Sequence, residues 1–267
     1  MNNANNKRDA VSENRREQIL RELRRNGRLL VDNLSRQLKI SSSTIRRDLA
    51  ELENEGMLRR THGGAEPIEP FLYEPFRHVS SFQEQEQQRA LEKRLIGLAA
   101  AELVSNGETI AIGAGTTTTQ VARNLRHRGD LMILTNAVNI AMELSHSKEV
   151  KVVCTGGFLS GDWFALVGPT AIAAASEIFV DKAFIGVDGV HPAHGFTTNY
   201  PDQAAIHNAL LKQARQKIVV ADHSKIGVVG TALICAPNGI DMLITDRKAE
   251  EKHLTALGSK GVRIRKV

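Results

Sequence analysis

Short apolar runs rich in β-branched residues recur through the chain after residue 104, and helical patterns separate them. In order they are TIAIGA, LMILT, VKVVCT, KAFIGV, KIVVAD, DMLIT and VRIRKV. A helix between two strands carries the chain back to the edge from which the first strand began, so successive strands pair in parallel. The alternation therefore predicts one larger, mainly parallel α/β domain, which we assign to residues 83–267.

The segment ahead of the first strand predicts a helix preceded by a linker. Four apolar side chains share one face of a helix drawn from about Gln83 to Val104: Leu91, Leu95, Leu98 and Ala99. Three prolines mixed with glutamates lie between residues 66 and 82, and this composition is typical of an extended linker. We therefore expect the residues before the linker to form a separate unit.

Small residues and hydroxyls follow five of the predicted strands. The segments are Gly115–Thr119, Thr135–Asn136, Thr155–Gly157, Asp188–Gly189 and Asp222–Lys225. The carboxyl ends of parallel strands meet at one edge of a sheet, and ligands of open α/β sheets bind just outside that edge. We therefore expect these loops to surround one ligand-binding crevice.

The loop Gly115–Thr119 leads into a helix that we expect to begin near Thr118. Free backbone N–H groups, hydroxyls and the positive end of a helix dipole suit a phosphate, although threonines also serve simply to cap helices. Lys225 is the one cation at these strand ends, and it either binds an anion or lies on the surface. Asp188 and Asp202 are either ordinary turn and first-turn carboxylates or acceptors for sugar hydroxyls.

Positive charge is concentrated in the first quarter of the chain. Residues 1–65 carry 14 Lys or Arg against 9 Asp or Glu, while residues 66–267 carry 21 of each, so the net charge of +5 belongs to the first segment. A compact basic unit attached to a neutral body indicates either a polyanion-binding unit or a solvated basic face. Charge alone does not separate the two.

Cap and turn residues predict three helices in this basic segment. The first runs from Ser12 to Asn26, Asp32 caps the second, and the third extends from a Ser41 cap to Gly56. Lys39 and Ile40 form the tight turn between the second and third helices. The arrangement is that of a helix-turn-helix or of a generic three-helix bundle with a charged surface.

The third helix has an apolar stripe and a polar face. Ile45, Leu49 and Leu52 form the stripe that packs inward. The side chains left outward near the first turn are Ser42, Ser43, Thr44, Arg46 and Arg47. Side chains at the start of a recognition helix reach base edges in the major groove, and arginines pair with guanine or with phosphate. This face therefore favours DNA binding.

A short β-hairpin is predicted from Met57 to Ala65. It carries Arg59, Arg60 and His62 ahead of two glycines. Such a wing is placed to lie along the DNA backbone or in the minor groove. With the three helices it defines a winged helix-turn-helix domain at residues 12–65, after a polar tail at residues 1–11 that we expect to be disordered.

Several protein classes are excluded by composition. No run approaches the ~18 apolar residues of a membrane span, and the first 17 residues contain no apolar stretch for a signal peptide. Cys154 and Cys235 lack CxxC spacing, which favours a reducing cytoplasm over a disulfide scaffold. Nucleotide fingerprints are missing, and three histidines have no carboxylate at ligand spacing, so we expect no cofactor and no metal. The histidines are His191, His194 and His207.

The stretch from residue 15 to Ala65 resembles the winged helix-turn-helix of the DeoR family of bacterial sugar-catabolism regulators. The most specific pieces are S-x-x-T-I-R-R-D-L at Ser41–Leu49, then Gly56, and R-x-H-G-G-A at Arg60–Ala65. The resemblance implies that this unit binds double-stranded operator DNA. The implied contacts are Ser42, Ser43, Thr44, Arg46 and Arg47.

Residues 84–260 are similar to the DeoR-type effector domain, whose fold resembles ribose-5-phosphate isomerase. The similarity lies in GTTT at 115–118, TN at 135–136, GG at 156–157, DKAFIGVDG at 181–189, GFTTN at 195–199 and ADHSK at 221–225. It implies a phosphorylated sugar as effector, with its phosphate on Gly115, Thr116, Thr117 and Thr118. The residues implied around the sugar are Asn136, Gly157, Asn199, Asp202 and Lys225.

Two positions depart from the family pattern. Gly113 stands where the family usually has an aspartate, and Asp202 where it often has a glutamate. The first departure removes a carboxylate from the floor of the crevice. This chain therefore need not bind the same effector as the commoner members of the family.

An isomerase-like enzyme with an appended DNA-binding unit is the alternative function. Moving a proton between adjacent carbons of a sugar phosphate needs a general base and a carboxylate pair. The resemblance to the isomerase requires D-G-A-D-E, but the run here is Asp188-Gly189-Val190-His191, which lacks the second carboxylate. We therefore expect binding without catalysis.

These features predict a ligand-controlled transcription factor, which we expect to be a repressor of a carbohydrate catabolic operon. Its expected location is the bacterial cytoplasm, on the nucleoid when bound to DNA and never in a membrane. Paired half-sites match two-fold proteins, so a homo-oligomer is expected, a dimer or, by resemblance, a tetramer. We expect the linker at 66–82 and the helix at 83–104 to transmit effector binding to the DNA-binding domain.

Overall fold

The computed structural model describes residues 15–23, 25–54, 57–67 and 80–267. The chain divides into two compact units, an N-terminal unit Met1–Pro70 and a C-terminal unit Phe71–Val267. The predicted tail, the Ser12 cap, the Gly56 helix end and most of the predicted linker lie outside the described residues. None of the helices in the described ranges is long and apolar enough to cross a membrane.

Three helices form the core of the N-terminal unit. Helix α1 covers residues 15–23 and 25–26, α2 spans Val31–Leu38 and α3 spans Ser42–Asn54. The inward stripe predicted for the third helix is confirmed, since Ile45, Leu49 and Leu52 are at most 1% exposed. They pack in one cluster with side chains of α1 and α2.

The predicted turn and cap before α3 are both present. Lys39 adopts a left-handed backbone conformation with φ 56°, which redirects the chain between α2 and α3. The Ser41 hydroxyl oxygen accepts a hydrogen bond from the Thr44 amide at 3.3 Å, as an N-cap does. These two residues together set the angle at which α3 leaves α2.

The start of α2 differs from the prediction that Asp32 caps it. The helix begins at Val31, with Leu30 in extended conformation at the cap position. The Val31 amide donates to the Gly63 carbonyl at 2.9 Å, so the hairpin satisfies a group that a side-chain cap otherwise serves. Asp32 lies in the first turn, where its charge favours the helix dipole.

A three-stranded antiparallel sheet completes the N-terminal unit. Strands β2 (Arg59–Thr61) and β3 (Gly64–Glu66) form the predicted hairpin, and β1 (Leu29–Leu30) pairs with β3, giving the order β1-β3-β2. The sequence did not predict β1, because two residues carry no periodicity. A Cβ at Gly64 would lie 1.9 Å from the Leu29 carbonyl oxygen, so this close pairing requires glycine.

A buried ion pair joins α1 to α3. Nε and Nη2 of Arg15 donate to the two carboxylate oxygens of Asp48 at 2.5 and 2.7 Å. Asp48 is 2% exposed, and its hydrogen bond to Arg15 raises the pKa of that guanidinium. The pair therefore fixes the third helix against the first.

We expect Arg15→Ala to destabilise the N-terminal unit by about 3 kcal/mol, because it leaves the Asp48 carboxylate buried without its cation. Thermal unfolding of the full chain, followed by the helical circular dichroism signal, measures the loss. Arg21→Ala is the matched control, since Arg21 pairs with Glu17 at 3.7 Å and the two side chains are 62% and 65% exposed. Exposed pairs contribute only about 0–1 kcal/mol. Equal destabilisation by the two variants would contradict the role assigned to the buried pair.

The strands of the C-terminal unit form two sheets and a separate hairpin. They are β4 (Thr109–Ile112), β5 (Leu131–Thr135), β6 (Val150–Cys154), β7 (Phe158–Ser160), β8 (Ala165–Val167), β9 (Val180–Gly186), β10 (Gly189–His191), β11 (Gly195–Thr198), β12 (Ala214–Val220), β13 (Ala232–Cys235), β14 (Met242–Thr245) and β15 (Arg263–Lys266). The central sheet has the order β15-β14-β12-β9-β4-β5-β6 and all its pairs are parallel. Its seven strands are the seven predicted runs, so the predicted fold class is confirmed. β10, β11 and β13 form the second sheet, and β7 pairs with β8.

Helices connect these strands and cover the central sheet. They are α4 (Ser80–Gln87), α5 (Ala90–Ala101), α6 (Thr116–Leu125), α7 (Val138–Leu144), α8 (Pro169–Ser176), α9 (Pro201–Lys212) and α10 (Glu251–Gly258). The direction in which the strands succeed one another reverses at β4, with β5 on one side of it and β9 on the other. Connections leave such a point toward opposite sides, and this opens a crevice at the carboxyl ends of the two strands.

The helix predicted from Gln83 to Val104 is in fact two helices. Arg89 has a left-handed backbone with φ 53°, and this residue separates α4 from α5. The buried face of α5 also differs from the predicted one, because Leu91 is 54% exposed whereas Ile96 and Lys93 are 0% and 3% exposed. Because the turn at Arg89 separates the two helices, α5 is rotated about its axis relative to the single continuous helix that was predicted.

Close packing against α6 explains the face that α5 buries. A Cβ at Gly97 would lie 2.6 Å from the backbone carbon of Gln120 on α6. The glycine side of α5 is therefore the one that allows the two helices to approach. Ala100, which is fully buried, lies on the same helix one turn later.

Candidate functional site

Arg46 and Arg47 are both exposed on the first half of α3. Ser43 is exposed beside them, and Ser42 and Thr44 are partly exposed. Within the described parts of the chain, no carboxylate forms an ion pair with either guanidinium. Two uncompensated guanidinium groups on an exposed helix face suit phosphates and guanine edges.

The arginines of the hairpin are engaged by carboxylates of their own unit. Arg59 Nε donates to Glu66 Oε1 at 2.7 Å, and Arg60 Nε donates to Glu53 Oε2 at 2.7 Å. Hydrogen bonds from the Arg60 amide and side chain lower the pKa of the Glu53 carboxyl. Any phosphate that binds Arg59 or Arg60 therefore competes with these carboxylates. His62 is exposed at the hairpin turn.

One pocket of the C-terminal unit opens where β4 and β9 end. Its lining residues are Gln85, Lys93, Ala114, Gly115, Thr116, Thr117, Trp163, Gly186, Val187, Asp188, Thr198, Tyr200, Gln203, Ala221 and Lys225. Its empty space, counted with the open mouth, is about 540 Å³. The pocket therefore lies where a ligand site is expected in an open α/β sheet.

The threonines after β4 divide into two pairs. The hydroxyls of Thr118 and Thr119 donate to the Gly115 carbonyl at 2.9 and 2.8 Å and so fold the loop. Thr116 and Thr117 line the pocket, and no hydrogen bond to another described residue engages their hydroxyls. Because α6 begins at Thr116 rather than near Thr118 as predicted, both amides lie in its first turn, where N–H groups lack intrahelical acceptors. The first turn of a helix with two such hydroxyls suits an anion.

Lys225 and Asp188 meet in the pocket wall. Lys225 Nζ lies 3.5 Å from Asp188 Oδ1, with about a quarter of each side chain exposed. Asp188 Oδ2 accepts hydrogen bonds from the Thr198 hydroxyl at 2.8 Å and the Asn199 amide at 3.0 Å. The carboxylate is thus held by the second sheet, and it holds the ammonium, which keeps further donors for an anion.

Lys93 is a pocket residue that the sequence analysis missed. It is 3% exposed on the inner side of α5, and its Nζ donates to the backbone carbonyl oxygen of Gln85. Burial is the main cause that lowers the pKa of its ammonium to about 8, with Asp222 opposing the shift and Lys225 adding to it. The sequence did contain a signal, because Lys93 lies within an apolar helical segment. The inward face predicted there contains Leu91, and this prediction placed Lys93 on the outer side of the helix.

An aromatic pair and an amide form another part of the wall. The rings of Trp163 and Tyr200 have centroids 5.3 Å apart at an interplanar angle of 58°. Gln203 is 8% exposed, and its Nε2 has no hydrogen-bond partner among the described residues. An apolar surface with a few placed polar groups is the usual lining of a small-molecule site, and a sugar ring presents both C–H and hydroxyl groups to it.

Five predicted effector residues do not line the pocket: Thr118, Asn136, Gly157, Asn199 and Asp202. Asn136 is fully buried; its Oδ1 accepts from the Ala114 amide at 2.9 Å and its Nδ2 donates to the Leu166 carbonyl at 3.1 Å. It therefore ties the loop after β4 to the β7–β8 hairpin.

Of the other four, Thr118 folds the loop after β4, and Gly157, Asn199 and Asp202 are exposed. A Cβ at Gly157, where φ is +110°, would lie 2.5 Å from the Val167 carbonyl oxygen, so the position admits only glycine. Asn199 and Asp202 are exposed, and Asp202 lies in the first turn of α9.

His207 fills the space beside Gly113. A Cβ at Gly113 would lie 2.9 Å from His207 Nε2 and 2.8 Å from Ile185 Cδ1, so an aspartate there is incompatible with this imidazole. His207 is 1% exposed, and neither ring nitrogen has a hydrogen-bond partner within the described ranges. Burial lowers the pKa of the imidazole to about 4. The space of the expected carboxylate is thus taken by an uncharged ring.

The C-terminal unit is expected to lose stability as the pH falls from about 6.5 to about 4. His207 titrates near 6.5 in the unfolded chain and at about 4 in the fold, so the unfolded state binds the extra proton in this window. The difference corresponds to about 3 kcal/mol. Urea unfolding followed by the fluorescence of Trp163, the single tryptophan, measures it.

His207→Gln is expected to flatten this pH dependence. The same substitution at His146, which is exposed, is the control and should leave the dependence intact. An unchanged pH dependence in the His207 variant would show that another group accounts for the loss.

His191, the last residue of β10, lies close to His194 in the turn before β11 and to His253 of α10. The ring centroids of His191 and His194 are 4.8 Å apart, those of His191 and His253 are 5.7 Å apart, and both pairs are tilted. Across the described ranges, no group of three or more His, Cys, Asp or Glu side chains is arranged to hold a metal ion.

Both units match models of known protein families. Residues 15–71 match the DeoR-like helix-turn-helix domain, and residues 88–247 match the DeoR C-terminal sensor domain. The HTH-type transcriptional repressor GlcR of Bacillus subtilis is 32% identical, over 92% of this chain and 93% of its own. The HTH-type transcriptional regulator GlpR of Haloferax volcanii is 34% identical, over 88% and 89%. The full-length sorbitol operon regulator SorC from Klebsiella pneumoniae covers 85% of this chain and 93% of its own at 12% identity, with a TM-score of 0.41.

Proposed function

The chain belongs to the DeoR family of DNA-binding transcriptional regulators, and from this premise we propose that it is a repressor of a carbohydrate catabolic operon controlled by a phosphorylated sugar. One observation carries the proposal. The first turn of α6 and two lysines, Lys93 and Lys225, line the same pocket of the sensor domain. Amides, hydroxyls and two cations around one space form a site for a phosphate group.

The N-terminal unit is proposed to read the operator with α3. Arg46 and Arg47 are exposed and have no ion-pair partner among the described residues, which supports base or phosphate contacts in the major groove, together with Ser42, Ser43 and Thr44. The hairpin residues Arg59, Arg60 and His62 are assigned to the DNA backbone. Arg59 and Arg60 are expected to contribute less to DNA affinity than Arg46 and Arg47, because each must exchange a carboxylate partner for a phosphate.

The pocket is proposed to bind the effector with its phosphate on Gly115, Thr116 and Thr117. Lys93 and Lys225 supply the positive charge. Asp188 and Gln203 are assigned to sugar hydroxyls and Trp163 to the apolar face of the ring. Thr118 and Asn136 support the loop from behind, and Gly157, Asn199 and Asp202 are assigned to the rim.

A thermal-shift screen against a panel of sugar phosphates tests the effector class. A ligand at 100 times its Kd adds about 2.7 kcal/mol to the apparent stability of the unit that binds it. The parent sugars without phosphate are the matched controls, and they should shift the unfolding temperature little. If no sugar phosphate raises the unfolding temperature of a preparation that binds DNA, the proposed effector class is wrong.

The pocket is proposed to bind its ligand without turnover. Of the described residues that line it, Asp188 alone carries a carboxyl group, and hydrogen bonds and Lys225 already engage both of its oxygens. Isomerisation of a sugar phosphate needs a free base and a second acid. An NMR assay with aldose phosphates tests the proposal, and turnover that Asp188→Asn abolishes would establish an enzyme.

The active form is proposed to be a homo-oligomer, a dimer or a tetramer, that works in the cytoplasm and on the nucleoid. Operators with paired half-sites are read by proteins with two-fold symmetry. Light scattering after size-exclusion chromatography measures the mass, and a monomer that binds operator with full affinity would contradict the proposal.

A further inference from the structure

We propose that Lys93 couples occupancy of the pocket to the anchoring of α4, so that a bound phosphate makes this helix harder to detach. The inference rests on the proposed function, because it requires the pocket to bind a phosphorylated ligand. In this proposal the Lys93 ammonium binds the ligand and also donates to the backbone of α4, the helix nearest in sequence to the DNA-binding unit.

Helix α4 depends on few contacts for its place. Its sequence, SSFQEQEQ, contains one apolar side chain, and an isolated helix of this length is unstable in water. The left-handed turn at Arg89 interrupts the hydrogen-bonded ladder between α4 and α5. α4 is therefore able to detach as a unit while α5 stays in the core.

Among the described residues, three anchors hold α4 to the rest of the sensor domain. Phe82 is 1% exposed and packs edge-on against Phe164, with ring centroids 5.1 Å apart. Glu86 Oε1 lies 2.8 Å from Arg123 Nη1 on α6. The third anchor is the hydrogen bond from Lys93 Nζ to the Gln85 carbonyl oxygen, and of the three it alone comes from a side chain that lines the pocket.

The ammonium of Lys93 has the donors for two tasks. One of its three N–H groups serves the Gln85 carbonyl, and two remain for a ligand at Thr116 and Thr117. Because burial has lowered its pKa to about 8, a fraction of Lys93 is neutral in slightly alkaline solution. A phosphate beside it favours the charged form, and a charged donor makes the stronger bond to the carbonyl.

Ligand binding and α4 anchoring are therefore reciprocal. A state in which α4 has detached loses Gln85 from the pocket wall and Lys93 loses its acceptor, so this state binds the ligand less well. By linkage, the ligand disfavours detachment by the same factor.

Hydrogen–deuterium exchange on the full-length protein tests the coupling, with inorganic phosphate as the probe. Phosphorus NMR first gives the Kd and confirms binding. If the detached state does not bind phosphate, amide exchange in a peptide that covers α4 should slow about tenfold at ten times the Kd. A peptide from β14, which lies in the core of the sheet, reports any general stabilisation.

Two charge-removing variants separate coupling from simple affinity. Lys93→Gln and Lys225→Gln each remove one positive charge from the pocket, but Lys225 pairs with Asp188 and not with α4. At equal phosphate occupancy, the Lys225 variant should keep the tenfold slowing, and the Lys93 variant should show less than a twofold effect. Lys93→Met is a second variant that keeps the apolar stem, and Trp163 fluorescence verifies that each variant is folded.

Phosphate binding with no change in α4 exchange would overturn the coupling and leave the proposed function standing. Equal slowing in the Lys93 and Lys225 variants would overturn it as well. A protein that binds neither phosphate nor any sugar phosphate would remove the proposed effector, and the coupling with it.

Discussion

Replacing Arg46 and Arg47 together with alanine is expected to weaken operator binding by roughly 30-fold or more. A good bidentate pair with a base provides about 1–3 kcal/mol of discrimination, and two such losses add when the contacts are independent. Both guanidinium groups are exposed and unpaired within the described residues, so neither must first give up a carboxylate. Fluorescence anisotropy with operator and random duplexes at fixed salt measures the change.

The pattern of loss distinguishes base contacts from phosphate contacts. Base contacts lower operator affinity more than random-DNA affinity, whereas phosphate contacts lower both equally and reduce the salt slope by about one per residue. Arg215→Ala with Arg263→Ala is the control for net charge, because both arginines are exposed in the C-terminal unit. If the α3 variant retains as much operator binding as this control, the assignment of the recognition helix is wrong.

Lys225→Ala is expected to weaken effector binding by about 10- to 150-fold while operator binding is unchanged. A hydrogen bond to a charged group contributes about 1.5–3 kcal/mol, and Lys225 is one of two cations that line the pocket. Calorimetry with a sugar phosphate identified by thermal shift measures the affinity. In an operator-binding titration, the variant should need correspondingly more effector to produce the same response.

Lys212→Ala removes the same charge from the exposed surface of α9 and serves as the control. Its effector affinity should stay within about twofold of the parent protein, because solvent screens exposed charges beyond about 10 Å. Unchanged affinity in the Lys225 variant would exclude Lys225 from the site, and an equal loss in both variants would point to net charge instead of contact.

Some elements of this protein were readable from local patterns. Inner strands of the central sheet such as β4 (TIAI), β5 (LMILT) and β14 (MLIT) are short apolar runs, because both faces of a parallel sheet are covered and a buried strand tolerates few polar residues. The stripe Ile45, Leu49, Leu52 fixed which side of α3 faces inward, and so exposed Arg46 and Arg47. Gly115 and the threonines after it marked the anion loop because glycine, hydroxyls and a helix start are neighbours in the chain.

Other features depended on residues far apart in the sequence. The rotation of α5 followed from the left-handed turn at Arg89 and from the approach of Gly97 to α6, and apolar spacing alone favoured a different face. The sequence identified Gly113 as a departure from the family pattern. Its neighbour His207 lies on α9, and only the fold shows that the two residues are in contact.

The sequence by itself determined the order of elements, the fold class and the placement of charge on the DNA-binding helix, since these arise from interactions between near neighbours along the chain. Only the tertiary structure decided which side chains share the pocket. Lys93 is buried, and its pKa is lowered to about 8, because Gln85 of α4 and residues that follow β4 and β9 share the pocket with it. Burial is a property of all the neighbours of a group, and most of these are distant in sequence.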